Sequence, residues 1–133
     1  MSDNPRAAQR RAALMSAALF GMGTLHFVLP KPFDSIVPPA LPGRARTYTY
    51  LSGVAELGVA TALAVPRTRR LGGRIAALLF IAVFPANVQF AADSVRNAEA
   101  PKPVKWVSVL RLPLQFPMIT QALRISREAP STR

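Results

Sequence analysis

TYTYLSGVAELGVATALAV, residues 47–65, decides the fold, because it is apolar along most of its length and carries one carboxylate, Glu56, near its middle. An ionised side chain at membrane depth is costly and is expected to face a bundle interior with a partner. The cation inside another long apolar run is Arg111, in WVSVLRLPLQFPMITQAL, residues 106–123. The sequence therefore predicts a structural ion pair, Glu56–Arg111, between two membrane helices.

Composition agrees with that start. The chain has 133 residues, 50% apolar and 17% charged, which suits one domain and leaves little polar surface for a soluble fold. Seventeen Lys and Arg against six Asp and Glu give a net charge of +11, which in a soluble protein would point to nucleic acid. Here the arginines gather at the ends of apolar runs, in RAAQRR (6–11) and PRTRRLGGR (66–74), where phospholipid headgroups lie. No nucleic-acid partner is expected, and Arg67, Arg69 and Arg70 are assigned to anionic lipid headgroups. The absence of cysteine excludes disulfide exchange, thiolate catalysis and Cys-ligated metal within this chain. A single histidine, His26, cannot by itself build a multi-His metal or bis-His haem site. No metal and no intrinsic cofactor are expected, so a redox role would borrow its cofactor, a quinone for example.

Four apolar runs predict an all-α bundle of four transmembrane helices, at about 12–29, 47–65, 75–92 and 106–123, with a basic N-terminal tail over 1–11 and a basic C-terminal tail over 124–133. The first run has a secretory signal as its rival, which the missing small-x-small cleavage site argues against. Ala13, Ala17 and Gly21 make a small-residue stripe suited to close helix contact. Five prolines in residues 30–46 predict a non-helical connector that lies on the bilayer or caps the bundle mouth. In the second run Thr49, Ser52 and Glu56 share one polar face. In the third, Pro85 frees the Ile81 carbonyl, and Asn87 and Gln89, about 200° apart, cannot both face inward. In the fourth, Ser108, Arg111 and Gln115 share a face behind an interfacial Trp106.

Lys and Arg by side set the orientation. Arg6, Arg10, Arg11, Arg67, Arg69, Arg70, Arg74, Arg124, Arg127 and Arg133 lie on one side, against Lys31, Arg44, Arg46, Arg96, Lys102 and Lys105 on the other. Both termini are then cytoplasmic in an inner-membrane protein. At the helical rise, Arg111 and Asn87 lie about 8 Å from the outer boundary, Glu56 about 14 Å and His26 about 5 Å. Converging faces would make a polar pocket in the outer half, with His26, Glu56, Asn87, Arg111 and Gln115 as candidate ligand-binding residues and no catalytic residue assigned. Three readings stay open: an ion pair that only fixes register, a site for a quinone-like molecule or lipid headgroup, and an ion or proton path, which the scarcity of acidic companions disfavours.

The blocks GTLHFVLPKPFDSIVPPALPG (23–43), YLSGVAELGVATAL (50–63), PRTRR (66–70), VFPANVQFA (83–91) and RLPLQ (111–115), in that order, resemble the DoxX-like bacterial membrane proteins over about residues 21–123. That resemblance implies a four-helix inner-membrane protein with polar positions at His26, Glu56, Asn87, Arg111 and Gln115. Some such proteins are subunits of thiosulfate:quinone oxidoreductase, and others gather sulfurtransferase and superoxide dismutase into a redox complex. For a chain without cysteine, the resemblance implies an auxiliary subunit or scaffold with protein partners rather than an enzyme by itself. The alternative it implies is a quinone-interacting subunit of a membrane oxidoreductase.

Overall fold

The computed structural model describes residues 4–130 and is all-helical, with five helices and no strand among the described residues. Helix α1 spans Pro5–Val28, α2 Pro30–Asp34, α3 Ala45–Ala64, α4 Arg69–Arg96 and α5 Lys102–Glu128. Three of the four long helices outrun the apolar segments that predict them, α1 and α5 because cap and first-turn residues that hydropathy does not register stand at their starts. Asn4 accepts the Arg6 amide at 3.0 Å with Pro5 at the first helical position, so most of the N-terminal basic tail is helical. Pro103 sits in the first turn of α5. At the other end Glu128 extends α5 well into the C-terminal tail, where it receives Arg11 Nη2 at 2.5 Å and Arg124 Nε at 2.7 Å. The tail residues 1–3 and 131–133, Arg133 among them, lie outside the described residues.

The connector is not wholly irregular. Pro30 and Pro32 fall in the first turn of a short helix, where a missing amide proton costs no hydrogen bond, and α2 results. Gly43 then takes a φ of 88°, a conformation that favours glycine, and the chain turns into α3.

Neighbouring long helices run antiparallel. Helix α1 packs on α3 and α4 on α5, and the two hairpins join chiefly through α3 and α4. Both described chain ends and the 65–68 turn gather at one end, where Arg11 meets Glu128 and Ser126 donates to the Arg70 carbonyl at 2.8 Å. Small residues allow this closeness. A Cβ on Gly73 would lie 2.7 Å from the Ala122 carbonyl oxygen and one on Gly72 3.0 Å from Leu63 nitrogen. The buried core is Ala12, Leu19, Val59, Ala60, Leu63, Ala76, Ala77, Phe80, Ala122 and Ile125, all toward that same end.

Large apolar side chains point outward instead. Leu78, Val107 and Leu114 are 65, 64 and 61% exposed, with Phe116, Leu110 and Leu51 similarly placed. Small residues thus occupy the helix contacts and large apolar ones the outside. By length and apolarity two of the helices, α1 and α4, are able to cross a membrane. The tyrosines, threonines and Glu56 of α3 and the prolines, glutamine and Arg111 of α5 dilute the other two expected spans. The stripe Ala13, Ala17 and Gly21 is exposed, and nothing lies within 4 Å of a Cβ on Gly21. The face of α1 that meets the bundle is Ala12, Ser16, Leu19, Gly23 and His26, since Ser16 Oγ donates to the Ala60 carbonyl at 2.7 Å and fixes that rotation.

Candidate functional site

Away from the alanine-rich core the helices bound a half-open cavity of about 200 Å³. His26 of α1, Thr49, Ser52 and Glu56 of α3, Asn87 of α4 and Arg111 of α5 supply its polar wall, and Phe33, Ile36, Val37, Pro38 and Leu41 of the connector close over it. The cavity is blind, because the core fills the opposite end of the bundle.

Glycines bring the first pair of residues together. A Cβ on Gly53 would lie 2.7 Å from the Phe27 ring and 2.9 Å from His26 Cβ, and one on Gly23 3.2 Å from Glu56 Cβ. With those positions bare, α1 and α3 approach until His26 Nδ1 stands 3.3 Å from Glu56 Oε2. The same Nδ1 lies 2.7 Å from the Met22 carbonyl oxygen. A carbonyl only accepts, so Nδ1 carries the proton and donates it there. Glu56 Oε2 is left buried and without a hydrogen-bond partner. Phe33 stacks on the imidazole at 3.8 Å between centroids.

The direct ion pair expected between Glu56 and Arg111 is not formed. Glu56 leans toward α1, against which α3 mainly packs, whereas α5 packs on α4. The two charges face each other across the cavity, and the guanidinium makes no hydrogen bond to a protein acceptor among the described residues. Its five donors are thus uncommitted within the protein among the described residues, and Arg111 is partly exposed.

Asn87 is buried and Gln89 exposed, as their angular separation requires. Gln115 stands behind Asn87 rather than in the cavity wall: its Oε1 accepts from Asn87 Nδ2 at 2.9 Å, and its Nε2 donates to the Phe80 carbonyl at 2.6 Å. That carbonyl adjoins the one that Pro85 strips of its amide partner, so Gln115 supplies a donor where the helix is short of one.

Asp34, beside the cavity, is a residue that the sequence reading passed over. Its carboxylate accepts from Thr49 Oγ1 at 2.6 Å and from Arg46 Nε at 2.9 Å, latching α2 onto the start of α3. The Thr49 hydroxyl above all, with help from Arg46, holds its carboxyl below the usual range against the opposing effect of burial. The signal for it was present: an acid within the proline-rich stretch, followed by Arg46 and the polar face that begins at Thr49. Arg69 has a structural task as well. It commits Nε to the Leu63 carbonyl at 2.8 Å and Nη2 to that of Ala64 at 3.1 Å, capping α3, while Arg67 and Arg70 are exposed.

Among the described residues no three His, Cys, Asp or Glu stand together in a way that could hold a metal ion. No curated protein and no solved structure matches the chain. Residues 15–126 match the family model described as Domain of unknown function (DUF8561), and the chain belongs to that family.

Proposed function

We propose that the protein is a four-span integral protein of the bacterial cytoplasmic membrane, similar to the DoxX-like proteins, that serves as an auxiliary component of a membrane-associated redox complex and holds a small ligand in its outer-half cavity. The observation that carries the ligand is the pairing of an unpartnered, buried Glu56 Oε2 with the uncommitted donors of Arg111 across one cavity. An unsatisfied buried acceptor costs on the order of 1–3 kcal/mol and calls for a donor. The outward Leu, Val and Phe side chains support four spans even though α3 and α5 are the more polar helices, because Thr49, Ser52, Glu56 and Arg111 face the cavity.

A second reading, a quinone-interacting subunit, is favoured by the cavity's chemistry: an apolar cap over a donor, Arg111, and an acceptor, Glu56. A quinone would bring carbonyl oxygens to the guanidinium, and its reduced form hydroxyls to the carboxylate. His26 and Phe33 would bound the ring on one side, and Asn87, held by Gln115, would orient it.

Single cysteines introduced into this cysteine-free chain test the topology. Ala40→Cys and Ala98→Cys are expected to react with an impermeant maleimide from outside intact cells, and Arg67→Cys only after permeabilisation. Native mass spectrometry of a mild-detergent preparation tests the rest. Bound quinone that Arg111→Ala loses supports the second reading; companion chains without quinone support the first. Recovery of the protein in the soluble fraction would sink both.

A further inference from the structure

A second depression, of about 260 Å³, runs along the outer end of α5 against α4, bounded by Phe90, Pro103, Val104, Val107, Ser108 and Arg111. Its walls are apolar except for Ser108 and Arg111, and Val107 at its edge is 64% exposed, so it opens on the outer surface of the bundle. Arg111 is the residue it shares with the cavity under the α2 cap.

From that shared wall we infer that the two spaces form one site, for an amphiphile whose uncharged polar head occupies the cavity between Arg111 and Glu56 and whose single apolar chain leaves past Arg111 into the α4–α5 groove. This rests on reading the cavity as a ligand site. The head is uncharged because the guanidinium and the Glu56 carboxyl share the space: an anionic head drawn to Arg111 lies against carboxyl oxygens, and a cationic head lies against the guanidinium. It must also both accept, from the guanidinium, and donate, to Glu56 Oε2. The chain takes the groove because Arg111 leads from the cavity into it, while the connector lies over one end of the cavity and the alanine-rich core fills the far end. Entry is then sideways from the bilayer, between the outer ends of α4 and α5.

Two membrane sources carry this chemistry, a quinol and a monoacylglycerol. The test uses decyl-hydroquinone and monodecanoylglycerol, each with a diazirine at the chain end, and decanoate with the same diazirine as the anionic control. With the full-length protein in mild detergent, at least one neutral probe is expected to be retained in native mass spectrometry and to crosslink within residues 103–107, about tenfold more than decanoate. Whichever neutral probe is retained identifies the source. Val107→Trp fills the groove from an exposed position and is expected to abolish that crosslink. Retention of a neutral probe with crosslinks spread over the lipid-facing surface would overturn the groove route while leaving the cavity as a site. Equal labelling by decanoate would overturn the uncharged head. If no probe is retained, the cavity reading falls as well.

Discussion

His26 Nδ1 lies 3.3 Å from Glu56 Oε2, yet its proton is directed to the Met22 carbonyl at 2.7 Å. The nearest donor to the carboxylate is thus already engaged within its own helix. The site's charge balance depends on Arg111 across the cavity and on whatever lies between.

Glu56→Gln separates a structural ion pair from a ligand site. A direct pair with Arg111 would make the substitution cost about 3 kcal/mol or more. With no direct contact between them, replacing a buried carboxyl whose Oε2 has no hydrogen-bond partner is expected to leave Tm in mild detergent unchanged or raised. Circular dichroism melts decide it, and a Tm lowered by an amount equivalent to that cost would restore the ion pair.

Gly53→Ala is expected to destabilise by about 1–3 kcal/mol, because its Cβ collides with Phe27 and His26. Gly58→Ala in the same helix meets nothing within 4 Å and should be neutral or stabilising by up to about 1 kcal/mol. Equal effects at the two positions would contradict the close α1–α3 approach that builds the site.

The α2 latch is pH-dependent. Asp34 has its carboxyl held below the ordinary value, chiefly by the Thr49 hydroxyl. Its contribution to stability is complete above about pH 4, the unfolded value, and is lost as pH falls through the lower folded value. Asp34→Asn should therefore lower Tm at neutral pH, and the difference from wild type should shrink in acid. A gap that persists unchanged in acid would show that Asp34 acts by shape and not by charge.

Gln115→Leu leaves Asn87 Nδ2 buried without its acceptor and Phe80 without its side-chain donor, for an expected loss of about 1–3 kcal/mol. The double variant Asn87→Leu, Gln115→Leu should cost less than the sum of the singles, with a coupling of roughly 0.5–3 kcal/mol. Strict additivity in a double-mutant cycle would show that the two amides act independently.

Much of the bundle is readable from residue types alone. The four apolar runs mark the four long helices, and the angle between Asn87 and Gln89 separates a buried amide from an exposed one. His26, Glu56, Asn87 and Arg111 do meet at one cavity, as counting along the helical rise from a common boundary suggests. That arithmetic gives height but not rotation. The partner of Glu56 is settled by which helix α3 lies against, and that depends on Gly23 and Gly53 in combination. The outward turn of Ala13, Ala17 and Gly21 has the same origin, since Ser16 and Gly23 compete for the contact face. Helix ends escape hydropathy because Asn4, Pro5 and Pro103 act through caps and first-turn geometry, and Asp34 escapes it because its partners lie 12 and 15 residues away.

The crowding of alanine and glycine at the end where Arg11 meets Glu128 has an evolutionary corollary. A molecule knitted together at one extremity is free to vary at the other. Replacing Ser52, Ala86 or Val83 would alter what the cavity admits without loosening the scaffold, so descendants of one ancestral bundle could diverge in selectivity while keeping the same shape.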